Sequence, residues 1–556
     1  MSKIKTQAFI NGKIITTNEK FSINEAFLVE GELISQVGST EEILKNCQPD
    51  TAMIDLNGKV VIPGLIDCHA HLDREGLKSV FPSLGKVRSI KDIQNRLAEL
   101  SKQYKPGEWI VTMPIGDAPT YFNVPEILEE KRFPTREELD AVTPNNPVYI
   151  KPIWGFWRHS FPLVSIANSK ALEIANINKE TEAMSDLITI DRDKSGNPTG
   201  IFYENTMMPI LELTTFNMIP GFTKENRVLG IKEACLAYHQ YATTSIFEEH
   251  GVVTELLSAY KEAEVEGLLT MRTGLVISPI WDHESKKNFN EFLQRWLGWL
   301  GEPTIGSKHL KTTGLFVDIN PTKDNALRAK ALPYTGWSGF NYDTALSPEE
   351  AFDLCLACVE NNIRVVAIWP NMIDILYRVH KQFSLKGRRW VLGHISSLSS
   401  EDIDKIAEME LLVSTHTNRY IYKEGHLLKE KLGKDRENEI SPVKSLLDKG
   451  VVVALATDNV PVSLFYPMWQ VLKRQSLWTQ EIIGKDQIIT RENALRCATI
   501  NGAKFAFEED LKGSLEPGKY ADFAILSNDP LICPIDEIKE IKSLATYVGG
   551  KLVYES

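Results

Sequence analysis

Short apolar segments alternate with amphipathic helical stretches along most of this 556-residue chain. Eight of these segments read as buried strands: residues 60–67, 244–248, 272–277, 312–318, 364–369, 390–394, 411–415 and 451–457. Strands that alternate with helices are typical of βα units, whose strands form a parallel sheet. Eight such units predict an α/β fold, a (β/α)8 TIM-like barrel, and the chain is long enough for insertions and a small companion domain.

Both ends of the chain carry a different pattern, in which apolar and polar residues alternate between turn signals. Residues 8–15 and 518–526 are examples. Because neither end alone has enough strands for a stable sheet, we expect the two ends to pair with each other. Residues 1–62 and 508–556 are therefore predicted to form one small β-sandwich domain.

The barrel domain is predicted to span residues 63–507. Between its first two strand candidates lies a long gap, at about residues 75–240, that is too large for one crossover helix. This segment is rich in Trp, Pro and Asn. It is predicted to be an insertion over the barrel mouth that helps to shape the substrate pocket.

The composition limits the classes of molecule that this chain is expected to bind. A formal net charge of −12 disfavours nucleic acid and anionic membranes, which both attract basic faces. No apolar run approaches the ~18 residues of a membrane span, and the first residues lack the apolar core of a signal peptide. Seven scattered cysteines, an odd number, indicate a reducing compartment rather than a disulfide framework. These features predict a cytoplasmic protein with a small-molecule substrate; whether it forms a homo-oligomer stays open.

A His-x-His pair follows the first barrel strand. His69 and His71 lie two residues apart, so both side chains can point the same way and bind one metal ion. The preceding Pro-Gly and the neighbouring Asp67 make this pattern more specific than an isolated pair. We therefore predict a metal site here.

Other candidate residues follow from a rule of barrels, that active sites form at the carboxyl ends of the strands. His394 and Asp458 end two of the predicted strands, where a metal held by the His-x-His pair would lie. Asp458 is suited to accept a proton from metal-activated water and to pass it to a leaving group. His250 and His416 also end strand candidates and have a similar claim.

Several motifs resemble those of the metal-dependent amidohydrolase superfamily. They are Pro-Gly-Leu-Ile-Asp-x-His-x-His, the Ala-Thr-Asp-Asn-Val-Pro that follows the last strand, the helix of residues 493–503 and the tail of residues 513–522. Within the superfamily, residues 157–160, 165–169 and 196–201 resemble the amidohydrolase family 3 branch that contains N-substituted formamide deformylase. The resemblance covers nearly the whole chain.

The resemblance implies a distorted barrel with a β-sandwich, one or two divalent metal ions with zinc expected, and hydrolysis of a C–N bond of the amide or N-formyl type. It implies His69 and His71 as metal ligands, His394 as a ligand or a substrate-polarising residue, and Asp458 as ligand and general base.

The chain departs from the family pattern at two positions. Trp369 stands where a ligand histidine is expected, so His250 or His416 could complete the ligand set. The lysine that bridges two metals in some members has no clear equivalent, because Lys311 lies nearby but Gly314 occupies the usual position. Residues predicted to contact the substrate are Trp369, His416, Arg158 and His159.

Three functions are compatible with these observations. The leading one is a metal-dependent amidohydrolase. The second is a deaminase of the same superfamily, because the same residues can attack an amidine-like ring carbon. The third is a non-catalytic ligand-binding barrel whose metal site has degraded, with Trp369 as the visible change.

Overall fold

A parallel sheet of eight strands forms the centre of the computed structural model, which describes residues 6–117, 124–153, 162–206, 209–279, 286–300, 305–319 and 346–556. The strands pair in chain order, and Ile305–Gly306 adds an antiparallel strand to β4. They are β1 (Leu65–Asp67), β2 (Thr243–Val252), β3 (Arg272–Ile277), β4 (Leu310–Val317), β5 (Val365–Ile368), β6 (Val391–Gly393), β7 (Leu412–Thr415) and β8 (Val453–Leu455). This arrangement confirms the predicted barrel.

Hydrogen bonds just beyond β1 and β8 bring the two ends of the sheet together. The Asp67 carboxylate accepts hydrogen bonds from the backbone N–H of Thr457 at 3.1 Å and from its hydroxyl at 2.5 Å. The backbone N–H of Asp458 donates to the carbonyl of His69 at 2.9 Å. The sheet is therefore nearly closed, and residues after β1 lie beside residues after β8.

The strands alternate between two apolar environments, as the two-residue period of a strand requires. On β5, Val366 and Ile368 belong to a buried cluster to which all eight strands contribute, and this cluster fills the barrel. Their neighbours Val365 and Ala367 belong to the cluster between the strands and the surrounding helices. Both faces of the sheet are thus buried, which explains why apolar residues occur on both faces of these strands.

Helices flank the strands, and none of the described ones is long and apolar enough to cross a membrane. The helix after β4 shows how the sequence fixes a start, because Ser347 and Glu350 form a capping box around Pro348. The described α-helices are Thr40–Asn46, Leu72–Leu77, Ile90–Ser101, Arg136–Asp140, Ser169–Ile174, Lys224–His239, Thr254–Val265, Phe289–Leu300, Pro348–Glu360, Ile373–Gln382, Ser400–Met409, Gly425–Leu432, Val443–Asp448, Phe465–Lys473, Arg491–Cys497 and Ile500–Phe505.

Two further sheets form the β-sandwich, and the pairing of the chain ends is confirmed. Phe523 pairs with Pro63 and Ala524 with Ile62, so tail and amino-terminal strands share one sheet. The six-stranded sheet has the order Lys551–Glu555, Ser543–Val548, Phe523–Leu526, Val60–Pro63, Lys13–Ile15 and Ile23–Asn24. The four-stranded sheet has the order Leu33–Gly38, Ala26–Glu30, Thr6–Ile10 and Ala52–Asp55.

The single strand predicted over residues 60–67 is wrong, because the structure has two strands there. Val60–Pro63 belongs to the sandwich and Leu65–Asp67 to the barrel. Gly64 separates them, and a Cβ at this position would lie 2.0 Å from the hydroxyl oxygen of Thr244. A glycine therefore lets the backbone pass close to β2 where it changes sheets.

The segment between β1 and β2 contains a sheet of its own, which the sequence analysis did not predict. Its strands, in spatial order, are Ile188–Arg192, Pro198–Glu204, Leu163–Ala167, Val148–Ile150 and Ile110–Thr112. The described part of Gly76–Gly230 forms one compact unit, and residues 6–75, 231–319 and 346–556 form the other. Sandwich and barrel fall in the same unit, so the domain boundaries drawn near residues 62 and 508 stay predictions.

A buried ion pair joins β3 to the tail. Arg272 donates from Nε to Asp522 at 2.6 Å and from Nη2 at 2.9 Å, and both side chains are almost fully buried. Removing one partner leaves the other charge buried without a counter-ion. We therefore expect Asp522→Ala to lower the free energy of unfolding by about 3–5 kcal/mol. Urea unfolding measures this loss. The double variant Arg272→Met with Asp522→Ala should recover part of it; equal losses in both variants would contradict the pairing argument.

Candidate metal centre

Five buried histidines meet at the carboxyl ends of the barrel strands. They come from four places: two from the segment after β1, and one each from β2, from the end of β6 and from the end of β7. They are His69, His71, His250, His394 and His416. Strand direction explains this convergence, because parallel strands of a barrel all end at the same face.

His69 lies at the centre of the cluster. Its ring centroid is 4.2 Å from that of His416, 4.7 Å from His71, 4.9 Å from His394 and 5.2 Å from His250. Two trios have ring nitrogens within 4.8 Å of one another, and both include His69. The trios are His69, His71 and His250, and His69, His394 and His416.

Asp458 adds a carboxylate to the first trio. Its Oδ1 lies 3.2 Å from Nε2 of His71 and 3.6 Å from Nε2 of His69. Donor atoms on one tetrahedral zinc lie about 3.4 Å apart, given metal–ligand bonds of about 2.1 Å. Both distances from the Asp458 carboxylate therefore match the spacing of ligands on one ion.

Two adjacent acidic residues on β2 hold the His-x-His pair from the other side. Nδ1 of His69 contacts Glu249 at 2.5 Å, and Nδ1 of His71 contacts Glu248. The hydroxyl of Ser414 donates to both oxygens of Glu249, at 2.6 and 2.7 Å. A carboxylate on one ring nitrogen fixes the orientation of the imidazole and leaves the other nitrogen for a metal.

Burial strongly affects the protonation states of the ionisable side chains in the cluster. It lowers the pKa of His71, His250 and His394 well below the ordinary value, so these rings are neutral near pH 7, the form that binds metals. Burial raises the pKa of Glu248. Burial also opposes ionisation of Asp458, but the hydrogen bond with His71 and the surrounding imidazoles outweigh it and hold that pKa well below its ordinary value.

The backbone is strained at the strand ends that carry these groups. Trp369, His394, Asp458 and Asn459 have φ angles of 75°, 54°, 51° and 62°, in the left-handed region. Such conformations are costly for residues other than glycine and cluster at functional sites. The packed surroundings therefore hold these side chains in positions that a relaxed backbone would not give.

Asn459 fixes the backbone of His71. Its amide oxygen accepts a hydrogen bond from the His71 N–H at 2.9 Å, and its Nδ2 donates to the His71 carbonyl at 2.8 Å. The hydroxyl of Tyr238 donates to the same amide oxygen at 3.0 Å. Sequence reasoning missed this clamp, as it missed Glu248 and Glu249. The available signal for Glu248 and Glu249 was that two adjacent acidic residues occur within a predicted buried strand.

Trp369 and His416 both lie against His394. The ring centroids are 4.5 Å apart for Trp369 and 3.9 Å for His416. The structure thus brings both residues to the cluster, and it places His416 among the candidate metal ligands. Arg158 and His159, the other two predicted substrate contacts, lie outside the described residues.

Lys311 is not brought to the cluster. It lies near the start of β4, whereas the histidines lie at the strand ends, and its Nζ pairs with Glu508. Gly314, at the position where a lysine was expected, has a φ of 148°, and a Cβ there would lie 2.8 Å from the carbonyl oxygen of Arg364. The metal-bridging role considered for Lys311 therefore has no support in this geometry.

Glu508 gives a prediction for acid stability. Burial opposes its ionisation, but Lys512 and Lys311 outweigh this and lower its pKa from 4.5 to about 2. The ionised side chain then contributes about 3 kcal/mol above pH 4.5, and this contribution is lost as the pH falls towards 2. We expect Glu508→Gln to lower the free energy of unfolding at pH 7 and to flatten its decline between pH 4.5 and 2. Urea unfolding at several pH values measures both effects. If the stability of Glu508→Gln declined between pH 4.5 and 2 as steeply as that of wild type, the lowered pKa of Glu508 would be contradicted.

The donor set fits a divalent metal. Nε2 of His69 and Nε2 of His394 are buried and have no hydrogen-bond partner among the described residues. Leaving such atoms unpaired is costly unless a ligand uses them. Neutral imidazoles with one or more carboxylates suit zinc, iron and similar ions. His69, His71, His250, His394, His416 and Asp458 are thus the residues that could hold one.

Comparisons with known proteins agree with this architecture. A family model described as amidohydrolase family matches residues 52–554. An N-substituted formamide deformylase of Arthrobacter pascens is 26% identical over 572 residues, covering 100% of this chain and 99% of the relative. A 5-methylthioadenosine/S-adenosylhomocysteine deaminase of Teredinibacter turnerae is 40% identical over 95 residues, 17% of this chain and 22% of the relative.

A solved structure shares the fold. An uncharacterized metal-dependent hydrolase of Pyrococcus horikoshii superimposes with a TM-score of 0.68 at 22% sequence identity, covering 96% of this chain and 99% of that one. This likeness confirms the predicted barrel.

Proposed function

Because the chain belongs to the amidohydrolase family, we propose that it hydrolyses a C–N bond of a small molecule, with a divalent metal held at the histidine cluster. The family match confirms the resemblance predicted from the motifs. Its members are metal-dependent hydrolases, so the chain is an enzyme. The bond type, the metal ligands and the residue roles are our proposal.

One observation carries the proposed ligand set, namely the position of Asp458 Oδ1 at 3.2 and 3.6 Å from the two Nε2 atoms of the His-x-His pair. We assign His69, His71 and Asp458 as ligands, with His250 as the fourth because it shares a trio with both histidines. Catalytic zinc sites usually have three protein ligands and an open position, so these four donors are enough to hold an ion that takes up water as a fifth ligand. Trp369 therefore does not leave the site short of ligands, which argues against the degraded-barrel alternative.

We further propose that the site holds one ion. Both trios need His69, but its Nδ1 is engaged by Glu249 at 2.5 Å. Only Nε2 remains, and one ring nitrogen binds one metal. The two trios are then alternatives rather than two simultaneous sites. Zinc is the metal we expect, because zinc takes histidine and carboxylate ligands in tetrahedral sites.

Within this arrangement each remaining residue has a role. A divalent ion in such a site supplies Lewis acidity, which polarises a carbonyl and lowers the pKa of water. Asp458 accepts the proton of the attacking water and delivers it to the departing nitrogen, so that a C–O bond forms as the C–N bond breaks. His394 donates a hydrogen bond to the oxygen that gains negative charge. Its ring packs against Trp369 and His416.

The substrate that we propose is an amide, with an N-formyl amine as the first compound to test. The full-length relative is named for acting on N-substituted formamides, and the chain is similar to it from end to end. Hydrolysis would release a carboxylic acid and an amine. The proposed substrate is therefore a small amide, either neutral or charged.

Amine release from a panel of N-formyl and N-acetyl amines tests this function. Protein reconstituted with zinc should hydrolyse compounds of this panel to the free amine, whereas chelator-treated protein should not. Asp448→Asn, on the exposed end of a barrel helix, is the matched control for changes at Asp458. Fully metal-loaded protein that releases amine from no amide would contradict the proposal.

A deaminase is the second candidate, supported by the 95-residue match to a deaminase. The same residues would then deliver water to an amidine-like ring carbon, with ammonia as the leaving group. Ammonia release from aminopurine nucleosides, without amine release from amides, would favour this alternative.

A further inference from the structure

Arg419 lies beside the histidine cluster, in the π-helix Asn418–Lys423 that follows β7. π-Helical turns are rare and frequent at functional sites. The turn begins three residues after the end of β7, at the same barrel face as His416. Arg419 therefore lies at the barrel face at which the proposed function places its substrate.

Only part of this guanidinium is engaged. Nε donates to both oxygens of Glu424, at 3.1 and 3.2 Å. Nη1 is buried and has no hydrogen-bond partner among the described residues. Arginine stays charged at any working pH, so a buried N–H of this group needs an acceptor.

Two aromatic side chains connect Arg419 to the reacting groups. Its guanidinium carbon lies 5.5 Å from the ring centroid of Trp369 and 5.1 Å from that of Tyr420. Trp369 packs on His394, and the Tyr420 hydroxyl lies 3.4 Å from Nδ1 of the same histidine. A single ring therefore separates the guanidinium from His394, and cation–π contacts with both rings help to hold the guanidinium in place.

We propose that Arg419 binds a carboxylate of the substrate, so that the substrates are amides bearing a carboxylate, such as N-acylated amino acids. The inference rests on the proposed function, because it places the scissile amide at the histidine cluster. An oxygen of the substrate carboxylate would accept a hydrogen bond from Nη1. The indole of Trp369 would then form one wall of the pocket between the amide and the carboxylate.

A structural role is the competing explanation, since an arginine stacked on a tryptophan also stabilises a fold. The two explanations differ in one respect. A structural arginine affects all ligands alike, whereas a carboxylate-binding arginine affects only those that carry the negative charge. The test therefore compares matched charged and neutral compounds.

The panel consists of the N-formyl and N-acetyl derivatives of glycine, β-alanine, γ-aminobutyrate, leucine and phenylalanine, each with its primary carboxamide counterpart. Hydrolysis of each compound by zinc-loaded wild type, Arg419→Met and Arg419→Lys is measured first. Initial-rate kinetics gives KM for the compounds that are hydrolysed, and equilibrium dialysis gives the dissociation constant of those that are not. Arg436→Met is the matched control, because Arg436 also pairs with a glutamate, at 2.9 Å from Nε, but lies at the exposed surface.

We expect wild type to bind at least one carboxylate about 10- to 100-fold more tightly than its carboxamide, as charge-assisted hydrogen bonds allow. Arg419→Met should lose this preference without weaker binding of the carboxamide, and Arg419→Lys should keep part of it. Arg436→Met should behave as wild type. Equal zinc content and thermal stability show that the variants are folded.

The two proposals fail in different ways. Carboxylate preference that depends on Arg419, without hydrolysis of any amide, would overturn the proposed function and support the role of Arg419. Hydrolysis with the same charge preference in wild type and Arg419→Met would overturn the role of Arg419. Absence of any carboxylate preference in wild type would overturn it as well.

Discussion

Asp458→Asn is expected to lower kcat/KM for a hydrolysed amide by about 10²- to 10⁴-fold, the usual contribution of a general base. Asparagine keeps the size of the side chain, but its neutral amide cannot accept the proton of water. The hydrogen bond with His71 and the surrounding imidazoles hold the pKa of Asp458 well below its ordinary value, so the wild-type carboxylate is ionised near pH 7. Steady-state kinetics with the best amide of the panel gives the ratio.

Metal occupancy must be separated from base function in this variant, because Asp458 is also an assigned ligand. The assay is therefore run at saturating zinc, with the metal content of each sample measured. Asp448→Asn should retain wild-type activity. If Asp458→Asn, fully loaded with metal, keeps more than about a tenth of the wild-type rate, a general-base role is excluded.

The second large effect is expected for His71→Asn, which should weaken metal binding. Removing groups that only orient a ligand costs about 10- to 100-fold in affinity, so losing a direct ligand should raise the zinc dissociation constant by more than about 100-fold. His380→Asn, on the helix Ile373–Gln382 outside the cluster, should bind zinc as wild type does. Competition with a chromophoric chelator measures the dissociation constants.

His416→Asn separates the two possible ligand sets in the same experiment. If the ion uses His71, His250 and Asp458 with His69, loss of His416 should change the zinc dissociation constant by less than about 10-fold. A larger effect of His416→Asn than of His71→Asn would instead assign the ion to the trio of His69, His394 and His416.

The barrel was accessible from sequence because buried parallel strands are short apolar runs and helices separate them. The split at Gly64 was not, because the residues on both sides are equally apolar. What separates them is the close approach of Thr244, a contact across 180 positions of sequence that no local pattern records. The sheet within Gly76–Gly230 was missed for a related reason, since its strands come from distant parts of the segment and the last two are exchanged relative to chain order.

Among the site residues, the predictable ones are those that end a strand. This rule selected His250, His394, His416 and Asp458, and the structure brings all four to the His-x-His pair. Lys311 was considered because it lies close to β4 in sequence, but a residue at the start of a strand faces the opposite end of the barrel. Contacts such as that of Glu249 with His69 depend on the register of β2, which shifts between Glu248 and Val252.

Arg419 was not among the residues predicted from the sequence, because no motif includes it. Its significance depends on the π-helix that turns it towards Trp369, and on Glu424 occupying only one of its nitrogens. Both are properties of the folded chain.

The most direct test of the central claim is the metal content per chain. Wild type and His69→Ala are purified without chelator and without a metal-binding tag, reconstituted with zinc, dialysed and analysed for divalent metals. Because His69 has only one nitrogen available for a metal, we predict about one equivalent in wild type and its loss in His69→Ala. No bound metal in wild type after reconstitution, or the same content in both proteins, would contradict the account.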